Sequence, residues 1–393
     1  MPGSVIVAGA RTPIGKLSGA LASFPAVDLG GFAIKAALER AGVAPDQVDY
    51  VVMGQVLLAG QGQIPARQAA ARAGVPLSVP ATTVNKVCLS GLNAIYLADQ
   101  MIAAGDAEVV VAGGMESMTR APYLLPGARE GFRLGDATLV DSMMYDGLTC
   151  SFDHCAMGLA TERYAAGAVT RERQDAFAAA SHERAAAAAK DGRLAEEIVP
   201  VQVPQRKGDP IVVDTDEGVR PGTTVESLAA LRPAFDKEGT ITAGNASQIS
   251  DGAAAVVVMS RARADALGVA PLGELVSYGQ VAGPDTSLLS QPSRAITRAL
   301  EKAKLSVPDV EVFEINEAFA AVGLVSAEEL GLDEDRLNVN GGAIALGHPI
   351  GMSGTRLAIT ALYELRRRGG GVAAVGLCGG GGQGDAAILR TLG

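Results

Sequence analysis

The chain has 393 residues, 48% of them hydrophobic and 4% aromatic, with no Trp and a net charge of −10; the length suffices for two or three domains and a large core. An acidic chain without a basic run argues against a nucleic-acid partner and against an anionic membrane surface, and no apolar run approaches the ~20 residues of a membrane span. Its four cysteines are too few for a disulfide framework and lack metal-site spacing, which points to reduced thiols in a cytoplasm and to no metal.

The opening MPGSVIVAGART reads as a strand that starts at once, so no signal peptide is expected. From Ala37, ALERAGVAPDQVDYVVMGQV reads as helix, turn and strand. Thr82 to Gly105 follows, TTVNKVCLSGLNAIYLADQMIAAG: a polar, β-branched run reaches Cys88, and a long helix pattern begins just after it. AEVVVAGG, from Ala107, is apolar throughout, as in a strand of a sheet covered by helices on both faces.

Roughly Thr119 to Ser250 breaks this pattern. It opens on Gly/Pro-rich loops (APYLLPGAREG), then holds the helix pattern RERQDAFAAASHERAAAAAKDG and the strand-like pair IVPVQVPQRKGDPIVVD. An insertion of this length is either a surface excursion or a lobe that binds something, and the second reading is favoured. DGAAAVVVMS, from Asp251, then resumes the sheet pattern.

The rest of the chain repeats the first part. ALEKAKLSVPDVEVFEINEA, from Ala299, matches the segment at Ala37, so that Leu38 meets Leu300, Glu39 meets Glu301, Val48 meets Val310 and Gly54 meets Asn316. CLSG at 88–91 matches GMSG at 351–354, a helix pattern follows each, and GVAAVGLCGG matches AEVVVAGG. The expected organisation is an N-terminal half at 1–118 plus 251–270, an inserted lobe at 119–250 and a C-terminal half at 271–393.

Four places carry chemistry. Cys88 precedes a helix, where the dipole and free backbone N–H groups favour a thiolate; elsewhere a lone cysteine is a small buried hydrophobe. His348, in ALGHPIGMSG, is bracketed by Gly347, Pro349 and Gly351. The repeat puts it opposite Cys88, where a histidine can take a thiol proton; a structural turn histidine is the other reading. Of the remaining histidines, His182 reads as part of a solvated helix face and His154 stays ambiguous. Cys378 is followed by four glycines, whose backbone N–H groups suit an oxyanion. Asn316 and Glu317 stand where a strand gives way to a helix, either as a cap or as catalytic groups.

NKVCLSG, NEAFA at 316–320, GGAIALGHPIGMSG and CGGGG at 378–382 together resemble the thiolase family, as do GGMESM, RPAFDKEGTITAGNAS and ARTPIGK. The resemblance covers nearly the whole chain and is closest to the short-chain acetyl-CoA acetyltransferases. It implies an α/β fold of two duplicated halves packed as a five-layer αβαβα sandwich, with an inserted loop lobe. It also implies reversible Claisen condensation of two acetyl-CoA through an acyl-Cys intermediate. Cys88 would be the nucleophile, His348 its activator and Cys378 the acid/base at the α-carbon. Asn316 would position a water in one oxyanion hole, and the backbone of Cys88 and Gly380 would form the other.

The same resemblance implies that Leu148, Met157, Arg220, Ser227, Phe235, Ala243, Ser247, Ala318 and Phe319 bind CoA and the acyl chain. It implies no cofactor beyond the CoA thioester substrate, a homo-oligomer (dimer or tetramer), and a place in fatty acid metabolism. Two departures bear on chain length: Ala156 stands where a His is expected, and SLLSQPSRAI replaces a Gly/Pro-rich segment. The alternatives are a degradative 3-ketoacyl-CoA thiolase for longer chains, a ketoacyl-synthase-type enzyme that needs no Cys378, and a non-catalytic acyl-CoA carrier on the same fold.

Overall fold

The computed structural model describes residues 4–391; the first three residues of the expected N-terminal strand lie outside the described part. In chain order the N-terminal half gives β1 (Ser4–Arg11), α1 (Ala26–Ala41), β2 (Tyr50–Gly54), α2 (Pro65–Arg72), β3 (Ala81–Val84), α3 (Ser90–Ala104) and β4 (Val109–Ser117). The lobe contributes a short hairpin, β5 (Thr149–Cys150) and β6 (Cys155–Ala156), then α4 (Met157–Ala165), α5 (Arg171–Lys190) and a second hairpin, β7 (Val201–Val203) with β8 (Ile211–Val213). The chain then returns through β9 (Ser250–Ser260) to β10 (Gly273–Ala282), α6 (Gln291–Ala303), β11 (Val312–Ile315), α7 (Ala320–Leu330), α8 (Ser353–Arg367), β12 (Gly371–Gly379) and β13 (Gln383–Thr391).

The strand order is β11-β12-β13-β10-β1-β9-β4-β2-β3. Among the described residues, the two halves of this sheet pair where Val5 and Ile6 meet Glu274 and Gly273. The repeat is visible element by element: α1 with α6, β2 with β11, α3 with α8, β4 with β12, and β9 with β13. β9 lies between β1 and β4, pairing with both, so the strand that completes the first half arrives only after the lobe. Where β2 pairs with β3 over four residues, the second half keeps a single bridge, Phe313 to Leu337.

Three apolar clusters separate five layers, α1/α2, sheet, α3/α8, sheet and α6/α7. Val109, Val111 and Val257 face α1 and α2, whereas Val110, Val256 and Val258 face the central helices. Burial on both faces is why these strands are apolar throughout rather than alternating. The same position explains α3. Contrary to the expectation that no apolar run approaches a membrane span, Val87–Ala104 is long and apolar enough to cross one, with mean hydropathy 1.3. Here its apolar side is packed against both halves of the sheet and against α8, and 44% of the segment is buried inside the molecule.

The halves approach closely at the turns before α3 and α8. A Cβ on Gly114 would lie 1.9 Å from the Gly351 carbonyl oxygen, and one on Gly354 would lie 2.5 Å from the Leu92 nitrogen. Gly114, on β4, meets the turn that carries Gly351, and Gly354, in the first turn of α8, meets the start of α3; only glycine allows either approach. Thr355 Oγ1 then donates to the Gly91 carbonyl at 2.9 Å, across the pseudo-symmetric centre.

Candidate active site

Cys88 sits two residues before α3, on a turn held from within. The Lys86 N–H donates to Ser90 Oγ at 2.8 Å, and that hydroxyl donates to the Val87 carbonyl at 2.6 Å. Val87 has φ 51°, an outlier for a β-branched residue that only a tightly determined turn sustains. The sulfur faces the centre of the molecule, and burial, with the nearby Glu116 charge, pushes the thiol up to about 12 against the pull of its own backbone N–H. The expected thiolate at a helix start is therefore not the resting form; desolvation outweighs the dipole.

His348 lies on the matching turn of the other half, with Nε2 3.2 Å from Cys88 Sγ. Its Nδ1 is 2.5 Å from Ser353 Oγ, and Ser353 Oγ donates to the Pro349 carbonyl at 3.0 Å. The tautomer consistent with that donation carries the ring proton on Nδ1 and presents the Nε2 lone pair to the thiol. Burial, with the Arg356 charge, lowers this imidazole to about 3, so it rests neutral. The His348 N–H is held in turn by the Gln248 carbonyl and Ser250 Oγ. Asn316 Nδ2 stands 3.4 Å from His348 Nε2, and Asn316 Oδ1 is buried without a partner among the described residues. That leaves an acceptor beside the pair.

Cys378 ends β12. It is buried, and burial together with the neighbouring Cys88 raises its thiol strongly. Both sulfurs and His348 line one cavity of about 60 Å3. Of the predicted residues, Leu148, Met157, Ser247, Ala318, Phe319 and Gly380 also line it. The expectation missed Val87, Gly147, Leu288 and Ile350. Leu288 comes from SLLSQPS, the segment noted as departing from the family pattern.

Arg220, Ser227, Phe235 and Ala243 lie outside this cavity, exposed on the lobe. Phe235 reaches it indirectly, edge-on to Phe319 with ring centroids 6.2 Å apart. Ser227 closes a capping box with Thr224. The segment before Arg220 is anchored by charge: buried Arg11 holds Asp216 through two hydrogen bonds of 2.7 and 2.8 Å and Glu197 through a third of 2.9 Å.

His182 departs from its expectation. It is buried rather than solvated, because the lobe loop folds over α5 and the Arg220 N–H donates to its Nδ1 at 3.2 Å. Burial, with the Arg220 charge, lowers it to about 4. Asn316 and Glu317 are not caps either, since α7 begins at Ala320. Glu317 is buried and accepts from Ser181 Oγ, Asn338 Nδ2 and the Ile344 N–H at 2.7, 2.8 and 3.0 Å, which braces the segment ahead of His348.

One buried carboxylate was not foreseen. Glu116, at the end of β4, accepts the N–H groups of Val56, Leu57 and Gly351 at 2.9, 3.1 and 3.1 Å. It ties the first half to the turn carrying His348. The four cysteines are free, and among the described residues no group of three His, Cys, Asp or Glu is placed to hold a metal ion.

The thiolase N-terminal domain model matches residues 4–262, and the thiolase C-terminal domain model matches residues 269–391. The chain belongs to the thiolase family. Among thiolases it is 60% identical to a probable acetyl-CoA acetyltransferase of Mycolicibacterium smegmatis, over 98% of this chain and 100% of the relative. It is 59% identical to a probable acetyl-CoA acetyltransferase of Mycobacterium tuberculosis over 100% of both chains. An acetyl-CoA acetyltransferase of Cupriavidus necator is 55% identical over 98% of both. The five layers, the duplicated halves and the lobe of this chain are the thiolase fold.

Proposed function

We propose that this thiolase is an acetyl-CoA C-acetyltransferase, joining two acetyl-CoA reversibly into acetoacetyl-CoA and CoA through an acetyl-Cys88 intermediate. The observation that carries the reading is the convergence of two thiols and one neutral imidazole on a cavity of about 60 Å3. A cavity this small favours a short acyl group over the long chain of a degradative thiolase, and the names of the relatives point the same way.

In the first half-reaction Cys88 would attack the thioester while His348 Nε2 takes its proton. Proton transfer and attack belong together, because an isolated thiolate or imidazolium, with no opposite charge beside it, is costly in a site this buried. The backbone N–H groups of Cys88 and Gly380 would hold the tetrahedral oxyanion. The departing CoA sulfur would take the proton of Cys378. That leaves an imidazolium and a Cys378 thiolate, whose charge is eased once Cys88 is a neutral thioester. In the second half-reaction Cys378 would take the α-proton of a second acetyl-CoA, with a water on Asn316 holding the enolate oxygen. The enolate carbon would attack acetyl-Cys88, and the released sulfur would recover its proton from His348. All protons return to their starting atoms. Each hole donor would supply ~3 kcal/mol of transition-state stabilisation.

CoA itself would lie along the lobe, with Ser227, Ser247 and Phe235 beside the pantetheine, Arg220 toward the nucleotide, and Ala243 also on the CoA path. The reaction would need no resident cofactor. Homo-oligomer formation, as a dimer or tetramer, is supported by the exposed apolar residues Tyr123, Phe132, Leu134 and Leu139 on the lobe. A cytoplasmic location is supported by the four free thiols, and a role in fatty acid metabolism would be consistent with this chemistry. The test is turnover of acetoacetyl-CoA against 3-ketohexadecanoyl-CoA: the reading expects a strong preference for the former, and a preference for the latter would sink it.

A further inference from the structure

A half-buried ion pair joins the two thiol-bearing segments, and the proposed mechanism does not use it. Lys86, two residues before the nucleophile, donates from Nζ to both oxygens of Asp385 at 2.7 and 2.8 Å. The Asp385 side chain is fully buried. The Tyr278 hydroxyl also donates to it at 2.7 Å, and the Tyr278 ring stacks on Tyr96 of α3 with centroids 4.3 Å apart and 12° between planes. Asp385 lies on β13 opposite Leu377, next to the pair formed by Cys378 and Gly384. The Lys86 side chain therefore runs from the Cys88 turn of the first half to the hairpin that carries Cys378 in the second. Packing follows the same line, with the Leu89 side chain against Gly379 and that of Val87 against Gly380.

His348 is held differently. Its turn is fixed by Glu116, Gln248, Ser250 and Ser353, none of which touches Asp385. The His348 turn thus has supports of its own, whereas the Cys88 turn is set against the strand end bearing Cys378 by the Lys86–Asp385 tether together with the Leu89 and Val87 contacts. We propose that Lys86 and Asp385 are positioning residues for the condensation half-reaction, setting the Cys88 turn against the strand end that bears Cys378. This rests on the acetyltransferase reading. Removing an α-proton from carbon and delivering the enolate to acetyl-Cys88 requires both sulfurs in register, and a displacement of ~1 Å in such geometry costs on the order of 100-fold. Acetylation of Cys88 is more tolerant, since a thiolate leaves readily even when its proton donor is displaced.

The test uses three variants of the full chain: Lys86→Met, Lys86→Arg, and the double change Lys86→Met with Asp385→Asn. The double variant guards against misfolding, because removing one partner alone leaves a buried charge uncompensated whereas removing both does not. Acetylation of Cys88 is followed by rapid quench and mass spectrometry, and α-proton exchange and condensation are followed separately. We expect the double variant to acetylate within about threefold of the parent while condensation and α-proton exchange fall ~30- to 100-fold. Lys86→Arg, which keeps a charged two-pronged donor, should recover most of that loss. Parallel losses in acetylation and condensation, or unchanged condensation, would overturn the proposal. Failure of the parent to acetylate Cys88 at all would instead strike the acetyltransferase reading.

Discussion

His348 Nε2 lies 3.2 Å from the Cys88 sulfur although the two residues are 260 positions apart in the chain. The duplication makes this contact. In the first half β3 leads into the turn before α3, in the second a segment held by the single Phe313–Leu337 bridge leads toward the turn before α8, and the two turns meet at the pseudo-symmetric centre. Cys88 occupies one, and Gly351, three residues past His348, takes the matching position in the other. In the proposed mechanism the nucleophile and its base would thus be supplied by two copies of one motif.

The first prediction concerns the proton on that histidine. Ser353 Oγ fixes it on Nδ1 by giving its own hydrogen to the Pro349 carbonyl. Ser353→Ala removes that constraint and lets the ring proton migrate to Nε2. The expected outcome is a fall in kcat of about one to two orders of magnitude, with KM and melting temperature little changed. A kcat equal to the parent's would mean that the tautomer is set by something else.

Glu116 should matter to the fold before it matters to catalysis. Its carboxylate satisfies three buried backbone N–H groups, and each buried donor left bare costs ~1–3 kcal/mol. Glu116→Ala should therefore destabilise the chain by at least about 3 kcal/mol, measured by denaturant unfolding, and Glu116→Gln by less. Burial raises this carboxyl to about 7 against the three N–H groups.

His182 gives a pH signature. Its value falls from 6.5 to about 4 on folding, first through burial and then through the Arg220 charge. Between these values the unfolded chain binds the extra proton and the native chain does not. Its contribution is thus complete above pH 6.5 and is lost as pH falls toward 4. His182→Gln keeps an acceptor for the Arg220 N–H without titrating. The drop in melting temperature between pH 7 and pH 4.5 should be smaller in this variant than in the parent; an equal drop would place the titration elsewhere.

Much of this site was legible in the sequence, and the misses share one cause. His348 and Cys378 stand out as reactive residues set among glycines or beside a proline, an arrangement with little packing purpose, and Cys88 as a thiol just before a helix pattern. The repeat could be read from Leu38, Glu39 and Val48 against Leu300, Glu301 and Val310, since duplicated helices keep their core-facing positions. Leu288 and Ile350, by contrast, are ordinary aliphatic residues that line the cavity only because distant loops fold over it. His182 read as solvated because the loop that covers it lies 38 positions away. Glu116 read only as part of a motif, since its three partners come from two remote turns.

Leu288 also yields a prediction about substrate size. As a wall of a cavity of about 60 Å3, it should limit acyl length. Leu288→Ala should raise turnover of a six-carbon 3-ketoacyl-CoA relative to acetoacetyl-CoA by about 10-fold, the scale expected for the fit of one or two methylenes in an apolar pocket. An unchanged ratio would show that Met157 or Phe319 sets the limit instead.

The central claim is that Cys88 carries the acyl group and Cys378 does not. Incubation with acetyl-CoA, a rapid acid quench and peptide mass spectrometry test it most directly. The account predicts an acetyl adduct on the peptide containing Cys88, lost in Cys88→Ala and retained in Cys378→Ala, with the latter variant unable to condense. An adduct on Cys378, or normal condensation by Cys378→Ala, would contradict it.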